Sequence, residues 1–476
     1  MDIAEVVRRG QPESFAQEVT EIEGELPAKL DGVLLRNGAG TMTLGDDPLA
    51  FLDGHGMIGA LEIAGGKAFL RTVHPETPLR KEELAAGRMT KRRIFTNLPG
   101  WWKNAFNLAF GNPVNHDSYV WNGKLVSSDF GDHYALSLPG LGFEGRVRWD
   151  AVAEKGEYVA PMPRDDAATK TLVAYAQRRS ASGDSLAFVE VDEKFGKVAR
   201  TSSITLGGFV HDCAFSERYY VAFQNAAKPK PLPALLGTKP IWWTFDWRDE
   251  GPTLILVPRG RDGEAKAIPL DTSLRTLFHI LNAYDDGDEV VIDAAGYDGV
   301  VHFDFIMPAA DGRPSRPAPK NRIVRIRVDP SAGTATVTPF DGASGEAPEV
   351  APSVHGKRYR HAWFAALPSA RAEEPYAYVL SRRIGHLDVE TGALSYWDAG
   401  EGHQLSPPAF APDTTADDPE AGWVLAWDID LEKETTDVVV LDAQNVPAGP
   451  VARLRLGIYL PAVSHARFAQ GARVRS

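Results

Sequence analysis

The sequence predicts an all-β chain: a seven-bladed β-propeller with a dome of loops and short helices over its axial site. Two observations lead there. A β-type run, a turn containing glycine and a second β-type run recur along the 476 residues. The 44 glycines and 34 prolines lie between hydrophobic runs and not in low-complexity tracts, as a chain of many short strands requires. Helical periodicity is scarce, and the better short-helix candidates are KEELAAGRM near Glu82 and the stretch around Ala105.

The repeats follow in chain order. Their turn glycines are Gly66 (ALEIAGGKAF), Gly123 (SYVWNGKLV), Gly196 (FVEVDEKFGKV), Gly263 (LILVPRGRDGEA), Gly333 (RIRVDPSAGTATV), Gly392 (HLDVETGALSY) and Gly449 (VVVLDAQNVPAGPVARL). β-Branched and aromatic residues flank each Gly, Asp or Asn turn, so each copy reads as a hairpin. The intervals are 57, 73, 67, 70, 59 and 57 residues. That spacing suits blades of about four strands, and its unevenness leaves a multi-sheet all-β arrangement as the alternative. Length alone suggests about three domains. Seven units of roughly 68 residues instead close into one ring, a single domain over 1–476 with an N-terminal arm of about 1–30.

Composition narrows the function classes. With 43% hydrophobic, 9% aromatic and 24% charged residues, the chain is globular, neither disordered nor fibrous. Lys and Arg total 51 against 64 Asp and Glu, a net charge of −13, and no basic stretch breaks that balance. A nucleic-acid footprint is therefore not expected. The one cysteine, Cys213, cannot form an internal disulfide. The opening MDIAEVVRRG lacks the apolar core of a signal peptide, and no apolar run reaches about 18 residues. A soluble, cytoplasmic protein with no required protein partner is the expectation.

The histidines carry the chemistry. Of twelve, three share a phase: His211 lies 15 residues after Gly196, His279 lies 16 after Gly263, and His465 lies 16 after Gly449. The chain of a propeller leaves the outer hairpin of one blade and enters the innermost strand of the next. Residues at one phase of that entry converge on the axis, where three imidazoles would suit Zn, Fe or Cu. At the same phase stand Glu346, 13 residues after Gly333, and Pro407, 15 after Gly392. A carboxylate there could accept the second ring N–H of a ligating histidine; the alternative for Glu346 is a solvated loop residue in GEAPEVAP.

At these residues the chain resembles the carotenoid cleavage oxygenase family, particularly its bacterial lignostilbene and isoeugenol dioxygenase-like branch. LRNGAG (35–40) and FLDGHGM (51–57) are similar to the family's early motifs, with His55 where an Asp is usual. FVHDCAFSERYYVAF (209–223) resembles the segment of the second iron histidine, His211, and TLFHILNAYDDGDEVVIDA (276–294) that of His279. EAPEVAPSVHGKRYRHAW (346–363) begins with a glutamate that the resemblance makes a partner of a ligand, Glu346, and the segment 437–468 carries the last histidine, His465. The resemblance implies a seven-bladed propeller with Fe(2+) on its axis.

The departures from the family pattern are specific. The family holds iron with four histidines, three of them hydrogen-bonded to glutamates. The segment expected to carry the first histidine is APMPRDD, which puts Met162 in that place as an apolar wall residue. His116 and His133 lie in the right blade, but neither fits the motif, and both are read as non-ligands. The glutamate expected after the GKL strand is Asp129, and the one before PAFAP is Pro407. Ser128 stands where stilbene-cleaving relatives have a phenol-binding Lys, and FTNLPG (95–100) lacks their Tyr.

The resemblance implies a non-haem iron dioxygenase that cleaves a C=C bond of an apocarotenoid or a phenylpropanoid- or stilbene-like aromatic with O2, giving two carbonyl products. The alternative is a catalytically silent or weakly metal-binding relative, a propeller that binds an apolar ligand or a partner. Trp101, Trp102, Phe106 and Phe110 form one aromatic cluster, and Trp242, Trp243, Phe245 and Trp247 another. Trp101, Trp102, Phe106 and Trp243 are the candidates for a substrate tunnel wall, with packing beneath loops as the other reading. If exposed, they would serve peripheral membrane contact.

Overall fold

The computed structural model describes residues 3–6, 8–107, 109–179, 183–302, 319–367 and 381–475. Seven antiparallel sheets of four to six strands carry the architecture, and their first strands touch the first strands of neighbouring sheets. That is a seven-bladed propeller, as the repeats predict. Numbered in the order in which the chain builds them, blades two to six start at the axis with Asp117–Trp121, the pair Glu157–Val159 and Arg164–Asp166, Phe209–Phe215, Thr276–Asp286 and Gly345–Glu349. Blade seven starts with the pair His403–Leu405 and Ala409–Pro412.

Blade one closes the ring. From the axis outward it runs Val463–Gln470, Gly32–Thr41, His55–Ala64, Lys67–Val73 and Ala16–Val19. The strand latest in the chain is thus the innermost strand of the blade built earliest. Its register sets His465 opposite Asn37.

Six of the seven turn glycines sit between the third and fourth strands of their blades. Gly123 is the exception and joins the first two strands of blade two, one hairpin early. Local chemistry explains both kinds of turn. Gly65 and Gly66 take φ of +57° and +72°, the two left-handed positions of a tight hairpin, and Asn122-Gly123 does the same at +49° and +67°.

A dome covers one mouth of the ring. The helix Pro78–Ala86 is the one expected near Glu82; Thr77 caps it by accepting from the Arg80 N–H, and left-handed Gly87 ends it. Around Ala105 no α-helix forms, only the 3-10 turn Trp101–Lys103. A further short helix, Pro231–Leu236, and the turn Ile241–Thr244 complete the cap. Beneath it Phe51, Phe95, Phe209, Trp242, Phe278 and Tyr297 pack into one cluster that joins dome to blades. Among the described residues no helix is long and apolar enough to cross a membrane.

Candidate metal centre

Four innermost strands bring four imidazoles together at the axis. His465 comes from blade one, His211 from blade four and His279 from blade five, the three that share a phase in the sequence. The fourth is His116, immediately before the innermost strand of blade two. Ring centroids run His465 to His116 4.9 Å, His116 to His211 5.7 Å, His211 to His279 5.0 Å and His279 to His465 5.2 Å. The cluster is therefore a closed four-membered circuit in blade order. Ligand nitrogens of His116, His211 and His465 all lie within 4.8 Å of one another.

His279 is oriented by a carboxylate. Its Nδ1 meets Glu346 Oε2 at 2.5 Å, which leaves Nε2 buried and without a hydrogen-bond partner. Glu346 sits at a register break in blade six, followed by Ala347 at φ +44°, a left-handed conformation uncommon for alanine. Its Oε2 also accepts the Ala347 N–H at 3.0 Å. Burial lowers the His279 pKa, but the Glu346 carboxylate outweighs that and lifts it above the ordinary imidazole value. The other three go the other way. Burial, reinforced by neighbouring imidazoles, pushes His211 and His465 well down and His116 down to about 3. Neutral imidazole is the metal-ligating form.

The donor set fits a divalent transition cation. Four buried imidazoles suit Fe, Zn or Cu, and the unpartnered Nε2 of His279 and Nδ1 of His116 are polar atoms that a folded interior seldom leaves unsatisfied. His211, His279 and His465 thus stand together as expected, with Glu346 beside them and not in solvent.

Other expectations need correction. His116, read as a non-ligand, is in the cluster; His133 is not, and its ring binds the Val159 carbonyl at 3.1 Å and the Tyr119 hydroxyl at 3.3 Å. Met162 is buried in the break of the blade-three inner strand and does not line the cavity. Pro407 and Asp129 do line it. Among the described residues Asp129 bonds no cluster histidine; it accepts the Phe130 N–H at 2.7 Å, and burial pushes its carboxyl up to about 6. Ser128 points elsewhere, its hydroxyl donating to the Pro161 carbonyl at 2.8 Å.

The cluster opens into a cavity of about 150 Å³ whose walls are largely aromatic. Phe130 contacts both His116 (5.0 Å between centroids) and His211 (5.5 Å). Phe209 and Phe278 add to the blade side, with Phe95, Trp242 and Phe245 on the dome side. Trp242 lines the cavity where Trp243 was expected, because only one face of this turn looks inward. Trp101, Trp102 and Phe106 are 70%, 65% and 70% exposed and stand on the outer surface.

The phase argument missed His116 because the dome segment separates the outer strand Lys67–Val73 from blade two. A signal was nonetheless present: His116-Asp117 and His211-Asp212 are the same dipeptide at the start of an innermost strand. Phe130 had no sequence signal, since only the fold brings it over the cluster.

The family model of RPE65, the retinal pigment epithelial membrane protein, matches residues 8–470. The chain belongs to this family. Among RPE65-family relatives, it is 27% identical to the apocarotenoid-15,15'-oxygenase of Synechocystis sp., over 97% of this chain and 95% of that one. It is 25% identical to lignostilbene-alpha,beta-dioxygenase isozyme III of Sphingomonas paucimobilis (95% and 94% covered). With the isoeugenol monooxygenase of Pseudomonas nitroreducens it shares 24% (94% and 93%). The crystal structure of cobalt-substituted Synechocystis ACO superposes with a TM-score of 0.89 at 26% identity, covering 98% of both chains. This agrees with the carotenoid cleavage oxygenase resemblance read from the sequence.

Proposed function

We propose that this protein is a non-haem Fe(2+) dioxygenase that cleaves the C=C bond of an apolar conjugated or aromatic alkene, an apocarotenoid or a phenylpropanoid- or stilbene-like compound. The observation that carries the reading is the four-imidazole circuit opening into an aromatic cavity. The overall change balances without a further reductant: one alkene and one O2 give two carbonyl compounds, each taking one oxygen atom. Bound iron would supply the activation of O2, which the side chains cannot perform alone.

The chain's own residues do the rest. Glu346 holds the His279 ring in one orientation, with Nε2 toward the cluster. Phe130, Phe209 and Phe278 give a conjugated chain apolar surface and keep water from the imidazoles. Aldehyde-forming cleavage of an unactivated alkene needs no proton donor at the reacting carbons. The absence of a Lys at 128 therefore bears on phenol recognition and leaves alkene cleavage open. The silent-propeller alternative drew on Met162 and Pro407; His116 removes the first of these grounds.

The exposed Trp101, Trp102 and Phe106 beside Leu232 support peripheral contact with a membrane, from which an apolar substrate could be taken up. Buried, unpaired Cys213 suits a reducing, cytoplasmic setting.

The test is anaerobic loading with Fe(2+), followed by O2 and a panel of apocarotenals, propenylphenols and stilbenes. Paired carbonyl products carrying ¹⁸O from labelled O2 are expected. Protein that retains no iron, or forms no cleavage product from any of the three classes, would overturn the reading.

A further inference from the structure

The family pattern places one iron histidine in the segment where this chain has Met162, yet the structure still gathers four imidazoles. We infer that His116, supplied by blade two, is the fourth metal ligand of this chain and replaces the donor missing from blade three. This rests on the proposed Fe(2+) site and specifies its ligand set.

Three independent features point the same way. The first is geometry: the nitrogens of His116, His211 and His465 converge within 4.8 Å, and the buried Nδ1 of His116 has no hydrogen-bond partner.

The second is a shared mounting. Asp117 Oδ1 accepts the Ser118 N–H at 2.8 Å, while its Oδ2 pairs with Arg467 at 2.8 Å. Asp212 Oδ1 accepts the Cys213 N–H at 2.7 Å, while its Oδ2 pairs with Arg164 at 2.8 Å. His116 and His211 thus precede aspartates that anchor their strands identically. An arginine reaches each aspartate from another innermost strand, blade one's for Asp117 and blade three's for Asp212.

The third is how the backbone before His116 is held. Asn37, paired with His465 across blade one, donates to the carbonyls of Val114 and Asp117 at 3.1 and 2.9 Å. A Cβ at Gly56 would sit 2.1 Å from the Val114 carbonyl, so only glycine permits that approach. The LRNGAG and FLDGHGM motifs therefore fix the segment that aims His116 at the axis.

The change moves the gap in the donor circuit. The widest step, 5.7 Å from His116 to His211, spans blade three, where Met162 stands, and Phe130 covers it. Blades three, six and seven contribute no imidazole to the circuit.

The test titrates the full-length apoprotein anaerobically with Co(2+) and with Fe(2+), comparing wild type, His116→Ala and Met162→Ala. His116→Ala should weaken binding by about 10–100-fold or more and change the Co(2+) visible spectrum, with free imidazole restoring part of both. Met162→Ala should bind within about twofold of wild type, as expected of a non-ligand. Wild-type binding in His116→Ala, or an equal loss in Met162→Ala, would overturn the assignment. If His116→Ala does not fold, a crystal structure of the Co(2+)-loaded wild type decides. A His116 nitrogen at about 2.1 Å from the metal supports the inference; bound metal with His116 beyond roughly 3 Å ends it. Wild type that binds neither ion would overturn the iron site together with this ligand.

Discussion

Glu346 and Pro407 hold the same place in the innermost strands of adjacent blades, yet one carries the orienting bond of the site and the other has no acceptor side chain. The Glu346–His279 contact is the one carboxylate–imidazole bond in the circuit among the described residues. Replacing Glu346 by Gln keeps the shape but removes the charge that favours His279 Nδ1–H. Metal affinity should fall by about 10–100-fold, read by titration with Co(2+), while the thermal midpoint stays close to that of wild type. Unchanged affinity would show that the strands alone orient His279. At this scale the sequence was legible where residues kept a constant distance from a turn. His211, His279, His465 and Glu346 did so, because each lies just past a short crossover between blades. His116 did not, because the whole dome precedes it, and spacing cannot report a contact made by a detour in the chain.

Elements reveal a second buried polar group, one that fastens the dome. Glu83, on the helix Pro78–Ala86, is fully buried; its Oε2 meets His55 Nε2 at 2.8 Å and Arg93 at 2.5 Å, and its Oε1 accepts the Thr90 N–H at 2.8 Å. This explains His55 in FLDGHGM: it starts an inner-blade strand and binds the dome helix above it. The helix was legible from its acidic and apolar spacing. The capped helix Pro231–Leu236 was not, since six residues with two prolines give no periodicity. Glu83→Gln removes a charge and leaves Arg93 buried without its partner, so a loss of about 3–5 kcal/mol is expected in denaturant unfolding. A loss below about 1 kcal/mol would assign the dome's attachment to apolar packing. The pH dependence has a definite sign. Burial raises the Glu83 pKa, but its bonds to His55 and Arg93 outweigh this and hold it at about 2, against an ordinary 4.5. Its contribution is complete above about 4.5 and is lost as pH falls towards 2. Burial likewise lowers His55, whose contribution fades below its ordinary 6.5. Acid should therefore loosen the dome of wild type, and Glu83→Gln should show a flatter acid limb.

The whole molecule depends on one closure. Six glycine turns marked the outer hairpins faithfully because a tight two-strand turn writes itself locally in sequence. Which strand completes the first blade depends on contacts across more than 400 residues, such as Asn37 with His465, and no local pattern encodes it. The outer face of the dome poses a separate question. If Trp101 and Trp102 serve membrane contact, the double change to Ser should reduce co-sedimentation with phosphatidylcholine vesicles without altering Co(2+) affinity; equal co-sedimentation would assign them to another surface role. The closure permits the stronger test. Val463–Gln470 covers the inner edge of Gly32–Thr41, supplies His465, and brings Arg467 to Asp117 in blade two. Removing residues 463–476 exposes that edge, cuts the ion pair and deletes one imidazole at once. In a ring whose blades each pack on two neighbours, loss of one inner strand leaves blades one and two each with an uncovered face. Full-length protein should then unfold in a single transition, with fluorescence and circular dichroism coinciding. The truncated chain should show no cooperative transition and no specific metal binding. A truncated chain that still melts cooperatively would mean that the blades are stable without closure. A full-length chain with separated transitions would mean that the ring is not one folding unit.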